Sequence, residues 1–316
     1  MKAYIIRRLL HLVPVLFLVT LIIFTILYIA PGDPATVMLG DTATPDQIAR
    51  LRVEMGLDAP LHKQYLRWIG GVLKGDLGHS YFLRQSVSEA ILSRIGPTTA
   101  LAIYSTTLAI SLGILLGILA AVNRGTVVDQ TSLVLSLLGV STPNFLLGML
   151  FVLLFAVKLR WFPVAGYQPL SKGFLVHIKS LTLPAVSIAV MMIAVVARMT
   201  RSAMLETLYA DFIKTARAKG LKEKYVIFRH AFRNAFLPVL TVIGRLVAGS
   251  LVGAVVVETI YNLPGLGQLL MNAISRRDYF VVQGIVLFIV FINVFFNLLV
   301  DLLYAVVDPR VRLDKK

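Results

Sequence analysis

The feature that most constrains this chain is the repetition of apolar runs as long as a bilayer is thick. No charged residue falls between Arg94 and Arg124. A helix rises 1.5 Å per residue, so crossing the hydrocarbon core takes roughly 20 apolar residues. Six segments meet or approach that length: residues 9–30, 98–122, 131–157, 181–197, 236–257 and 280–306. The fourth is short, and the fifth is interrupted by Arg245. Hydrophobic residues make up 58% of the chain and charged residues 15%, against about 45–50% and about 25% in soluble domains. The expected fold class is an all-α integral membrane protein with six transmembrane helices.

The net charge of +15 would point to nucleic acid in a soluble chain. In a membrane protein, basic residues at the inner ends of the spans fix orientation and are the simpler explanation. With the N-terminus inside, segments 1–8, 123–130, 198–235 and 307–316 carry 3, 1, 9 and 4 basic residues. The short outer segments 158–180 and 258–279 carry 4 and 2. Segment 31–97 is long enough to escape the rule. Both termini are therefore expected in the cytoplasm, although Lys158, Arg160, Lys172 and Lys179 weigh against this. The chain has no cysteine, so it has no disulfide framework and no thiolate metal site.

The expected organisation is an N-terminal tail with the first span (1–30), an extracytoplasmic segment (31–97) and a core of five spans (98–316). The first apolar run is longer than the roughly 7–15 residues of a signal peptide, so it is expected to stay as a span. In the outer segment, "TPDQIARLRVEMG" has the marks of a helix. Thr44 caps it, Pro45 sits in the first turn, Gln47 completes a capping box and Gly56 stops it. "PLHKQYLRWIGGVLKG" is a second candidate helix. A short re-entrant or interfacial helix is expected after Pro264.

The basic stretch "DFIKTARAKGLKEKYVIFRH" (211–230) lies between two apolar runs. Leu205, Leu208, Tyr209, Phe212, Ile213 and Ala216 recur at i, i+3, i+4, i+7, i+8 and i+11, which is one face of a helix. Gly220 permits a left-handed turn. Tyr225, Phe228, Phe232 and Phe236 follow on a second helix. A helix, sharp turn and helix at 198–235 could lie on anionic lipid or dock in the groove of a cytoplasmic partner. Amphipathicity alone does not separate the two.

These residues carry a resemblance. "DFIKTARAKGL" followed by "VIFRHAFRNAFLPVLTVIG" resembles the EAA loop of ABC importer permeases, and more closely their oligopeptide, dipeptide and nickel branch. "APGDPA", "GDLGHS", "VETIYNLPGLGQLLMNAISRRDY" and "NLLVDLLYAVVDPRVR" extend it nearly end to end. The resemblance implies that Asp211, Lys214, Thr215, Ala216, Arg217, Ala218, Gly220 and Leu221 couple the chain to an ATPase. Lys214, Thr215 and Ala216 stand at the E-A-A places. Where the wider family has Ile-x-Leu-Pro, this chain reads His230-Ala231-Phe232-Arg233. The resemblance also implies a second homologous permease subunit (a heterodimer), two ATPase subunits and an extracytoplasmic substrate-binding protein. ATP and Mg2+ would sit on the partner subunits, in the inner membrane of a prokaryote. Peptides are the default substrate; nickel and small oligosaccharides occur among relatives.

The residues agree that the chain is not itself the motor. It has no Gly-Lys dipeptide, hence no G-x-x-x-x-G-K-[ST] phosphate loop. An ion-driven carrier would need intramembrane carboxylates, and only Asp301 lies well within a span. An intramembrane hydrolase would need a base in the spans, where only His11 stands, near the start. Arg245 lies about 14 Å into the fifth span. Asn293, Asn297 and Asp301 make a stripe at i, i+4 and i+8 on the sixth. These four could glue helices together, with Asp301 meeting Arg245 or an N-terminal base, or could line a pathway. Gly113 and Gly117 predict close packing of the second span, and Pro143 and Pro184 predict kinks. His11, His62, His79, His177 and His230 have no metal-ligand spacing.

Overall fold

The computed structural model of the chain describes residues 2–29, 32–40 and 43–307, with side chains over 13–26, 28–29, 32–40 and 43–299. Contacts divide it into two compact units, residues 1–98 with 264–295 and residues 99–263 with 296–316.

The first unit opens with α1 (Lys2–Ile29). In α2 (Pro34–Leu39) the Asp33 carboxylate accepts from the Thr36 N–H at 3.1 Å. α3 (Pro45–Glu54) begins with the expected capping box. The Thr44 N–H donates to Gln47 Oε1 at 2.9 Å, and the Gln47 N–H donates to Thr44 Oγ1 at 3.4 Å. Gly56 beyond its end takes a φ of 70°, which a side chain resists. α4 (Leu61–Leu73) turns its rings toward α1. Tyr65 is hydrogen-bonded to Thr20 at 2.9 Å, the Tyr28 hydroxyl donates to Gln64, and Phe24 stacks on Trp68 at 6.3 Å between centroids.

A short hairpin pairs β1 (His79–Ser80) with β2 (Gln85–Ser86). α5 (Val87–Val122) follows and starts well before the expected Thr98. A second capping box explains the early start: the Glu89 N–H donates to Ser86 Oγ at 3.2 Å, and the Ser86 N–H donates to Glu89 Oε2 at 3.1 Å. α12 (Leu266–Ser275) forms after Pro264 as expected, and α13 (Tyr279–Val307) ends the described chain. Val87 and Ile91 of α5, Leu266 and Leu269 of α12, and Val281 and Ile285 of α13 form this unit's core.

The second unit is built around one helix. α6 (Val127–Ser141) and α7 (Asn144–Phe151), the latter continued by a π-helix over Val152–Lys158, come before α8 (Phe174–Leu208). α9 (Asp211–Ala218) and α10 (Glu223–Tyr225) follow, then a π-helical stretch over Val226–Phe232 and α11 (Arg233–Ile260). The apolar stretch of α8 is 67% buried, whereas that of α11 is 33% buried, so α8 is the element on which the others pack. Glycine sets the closest approach. A Cβ on Gly117 would lie 2.6 Å from the Ala197 carbonyl, and one on Gly113 would lie 2.7 Å from Val196 Cβ. The G-x-x-x-G therefore packs α5 on α8 within the chain.

Among the described residues, four helices are long and apolar enough to cross a membrane: Val87–Val122, Phe174–Leu208, Glu223–Ile260 and Tyr279–Leu299. The pair Val127–Ser141 and Asn144–Lys158 makes a fifth if counted as one span, but it is bent by 102°. Residues 131–157, expected as one span, are broken in the middle. Pro143 lacks an N–H and forces the residue before it out of helical geometry, and Thr142 sits at φ −93°, ψ 120°. The first expected span coincides with a shorter apolar helix, Val13–Ile26, inside α1. Pro184, in contrast, is carried inside α8.

Candidate functional site

The basic stretch folds as an elbow. α8 stops at Leu208, Ala210 takes extended geometry (φ −69°, ψ 150°), and α9 starts at Asp211. Gly220 reverses the chain at φ 72°, where a glycine carries no Cβ penalty. Arg217 then reaches across the turn to Glu223, with Nη2 to Oε1 at 2.7 Å and Nε to Oε2 at 3.2 Å. This fork ties α9 to α10. Lys214 Nζ donates to Asp211 Oδ1 at 2.8 Å. That bond holds the Asp211 carboxyl below the usual carboxylate range, and the bond to Glu223 likewise raises Arg217.

The apolar face read from the sequence is divided between two tasks. Leu208, Ile213 and Ala216 are buried, together with Val226 and Ala231, in a core that also takes in Ile118 and Ala121 of α5, Met204 of α8, and Val239 and Ile243 of α11. Tyr209, Phe212, Tyr225 and Phe228 point the other way and are 60%, 45%, 56% and 52% exposed. Leu221 joins them. Lys224, Tyr225, Phe228 and Arg229 line a hollow of about 370 Å³. The elbow is thus anchored to three long helices on one side and offers exposed rings, with Lys224 and Arg229 beside them, on the other.

Asp211, Lys214, Thr215, Arg217, Ala218, Gly220 and Leu221 are exposed on this elbow. Ala216 is not; it lies in the chain's own core and seats α9. Arg245 is exposed on a stripe of α11 with Gly249, Val252, Val256 and Thr259. It makes no ion pair among the described residues. On α13, Asn293 is half-buried and Asn297 exposed. The side chain of Asp301 lies outside the described residues, as does that of every base before Val13.

Two contacts have no signal in the sequence. Arg201 of α8 grips Asp129 of α6, with Nε to Oδ1 at 2.5 Å and Nη2 to Oδ2 at 2.8 Å. Arg124 lies over the Tyr209 ring, with Cζ 5.3 Å from the centroid, within cation–π range. The partners are 72 and 85 residues apart in sequence. The sequence counts Arg124 and Arg201 only as inner-side charge, and nothing local signals either pairing.

Residues 113–313 match the family described as binding-protein-dependent transport system inner membrane component, and residues 1–102 match its N-terminal counterpart. A putative peptide transport system permease protein of Brucella abortus (strain 2308) is 46% identical, covering 99% of this chain and 100% of that one. The dipeptide transport system permease protein DppB of Escherichia coli (strain K12) is 42% identical, covering 100% of both. The di/tripeptide transport system permease protein DppB of Pseudomonas aeruginosa (strain UCBPP-PA14) is 40% identical, covering 99% of both. Among solved structures, inward-facing MetNI methionine ABC transporter matches with a TM-score of 0.55 at 15% identity, over 70% of this chain and 97% of that one. An amino acid ABC transporter crystallised with histidines matches with a TM-score of 0.53 at 15% identity, over 69% and 94%. At that identity the two structures speak for the fold alone. With the family pattern running over most of its length and relatives at 40–46% identity end to end, this chain belongs to the binding-protein-dependent transport system inner membrane components.

Proposed function

We propose that this protein is a permease subunit of an ABC importer that admits dipeptides and oligopeptides, and that its elbow is the point at which a separate cytoplasmic ATPase drives it. The observation that carries this is the divided apolar face of the elbow. A helix lying on lipid has no need of a face locked into the chain's own core. A coupling element needs both an anchor that moves the spans and free rings for a partner to grip. Aromatic side chains set in a pocket with cations around them are the usual anchors of protein interfaces. Burying each ring is worth about 1.5–3 kcal/mol. The peptide substrate rests on what the named relatives carry.

In this proposal six spans, α1 included, cross the membrane with both termini inside, and 31–97 faces outward. ATP and Mg2+ belong to two ATPase subunits, and a binding protein delivers peptide from outside. A second, homologous permease subunit covers the open stripe of α11, which would put Arg245 beside a wet pathway where a charge is tolerable. ATPase closure displaces α9 and α10. Because Ile213 and Ala216 are packed among α5, α8 and α11, those helices tilt with them.

The test is ATP-dependent dipeptide uptake by the complex reconstituted with its ATPase, second permease and binding protein. Uptake that follows an ion gradient and ignores ATP would overturn the proposal. Gly220→Pro supplies the local test, because proline fixes φ near −65° where the turn needs 72°. The variant is expected to insert normally and lose ATP-driven uptake; unchanged uptake would count against the elbow.

A further inference from the structure

The inner turn between α5 and α6 is exposed at Arg124, Gly125, Thr126, Val127, Val128 and Gln130, yet Asp129 in its midst is buried. Its side chain is 5% exposed, and that of Arg201 is 20% exposed. Removing a carboxylate from water is costly, and a buried ion pair is weak evidence of added stability. Its better-attested use is to fix one arrangement of elements. The turn is also held rigid. The Gly125 N–H donates to Asp129 Oδ2 at 3.0 Å, Thr126 Oγ1 donates to the Asn123 carbonyl at 2.7 Å, and Asn123 Nδ2 donates to the Leu119 carbonyl at 2.8 Å.

What the pair fixes is one end of the broken span. The far part is pinned by Tyr261, whose hydroxyl donates to the Gly148 carbonyl of α7 at 3.1 Å and lies 3.1 Å from Ser187 Oγ of α8. The middle rests on α8 through Gly139, where a Cβ would come within 3.1 Å of Ala194 Cβ. Between the pins, the 102° bend at Thr142 and Pro143 is the joint. α6 lies along α8 through its Asp129, Ser136 and Gly139 face, whereas Val134, Leu135, Leu137 and Leu138 on its other face are all more than half exposed.

We propose that Asp129 is a positioning residue for ATP-coupled transport. By clamping the start of α6 to α8 next to the elbow, the Asp129–Arg201 fork makes the broken span follow α8, so that displacement at the elbow flexes the 142–143 joint. The Arg124–Tyr209 contact holds the same turn against the residue where α8 gives way to the elbow. This inference rests on the importer function proposed above.

The chain has no cysteine, which allows a clean test in the reconstituted complex. Asp129→Asn is expected to leave complex assembly and basal ATP hydrolysis in place and to lower dipeptide uptake per ATP about tenfold, in the range of measured coupling between sites. The double variant Asp129→Cys, Arg201→Cys is expected to show the same loss. A short bifunctional thiol cross-linker should restore its uptake per ATP by replacing the ionic tether with a covalent one. Normal uptake per ATP in both variants would overturn the proposal. So would assembly, hydrolysis and uptake that fall in parallel and stay low after cross-linking, because the pair would then serve stability only. Wild-type uptake, measured first in the same vesicles, tests the importer function separately; if it is absent, both proposals fall.

Discussion

α4 and the elbow are both amphipathic, both carry rings at helical spacing, and they end differently. α4 closes its rings on its own chain: Tyr65 meets Thr20 and Phe24, and Trp68 meets Phe24. The elbow closes its aliphatic positions, Ile213, Ala216 and Val226, and seats Phe232 partly against the same core, but leaves Tyr209, Phe212, Tyr225 and Phe228 exposed. The difference teaches that amphipathicity shows a helix has two sides, and that the location of the rings shows whether a partner is still missing. α4 closes its rings within the chain, whereas the elbow leaves rings that the proposed function assigns to a partner.

The sharpest way to break this comparison is to charge the two sides of the elbow separately. Ile213→Asp would bury an unpaired carboxylate among Met204, Val226 and Val239, at a cost of about 3–5 kcal/mol, and the purified subunit should lose thermal stability and yield. Phe212→Asp, on the adjacent exposed position, should leave the melting temperature in place and abolish ATP-driven uptake. If the two variants behave alike, the division of faces is wrong.

A smaller contrast sets α4 against the elbow directly. Trp68→Ala removes a buried ring and should cost about 3–5 kcal/mol while the surviving folded protein still transports. Phe228→Ala should change stability by less than about 0.5 kcal/mol and cut uptake by at least about tenfold, as for an interface anchor. Thermal unfolding and uptake measured on the same preparations separate the two.

The mildest effect concerns the outer unit that contains α4. Burial raises the carboxyl of Asp278, just ahead of α13, while the Ser80 hydroxyl, the Val281 N–H and the nearby His79 act the other way. A carboxyl raised on folding is held more tightly as the acid by the folded unit than by the unfolded chain. Its contribution is therefore present at acidic pH and is lost as pH rises through the folded-state value. Unfolding curves between mildly acidic and neutral pH should show this trend, and Asp278→Asn should flatten it. A trend unaltered in the variant would assign it elsewhere.

Local features were the most legible in the sequence. Thr44 and Gln47 signal α3, Gly56 and Gly220 signal turns, and Gly113 and Gly117 signal close packing of α5, though not that α8 is its partner; each signal comes from residues a few positions apart. The box at Ser86 and Glu89 was equally local and was passed over, which put the start of α5 too late. Pro143 signalled a kink but not its 102°, since the angle is set by how α6 and α7 settle on α8. The pairing of Asp129 with Arg201 left no trace, because charges far apart in sequence meet only once the helices have packed. The apolar period of 205–216 predicts one helix face, but the chain breaks at Tyr209 and Ala210, leaving Leu205 and Leu208 on α8 and Phe212, Ile213 and Ala216 on α9; nor can a period tell which members turn inward. That choice depends on α5 and α11, which supply the other wall of the core.

The most direct test of the central claim is cysteine cross-linking from the elbow in the assembled complex. Tyr225→Cys, introduced into a chain with no other cysteine, is expected to cross-link to the ATPase subunit, with a yield that changes when nucleotide is bound. Quenching of a probe at that position by lipid, with no adduct to the ATPase in any nucleotide state, would contradict the claim.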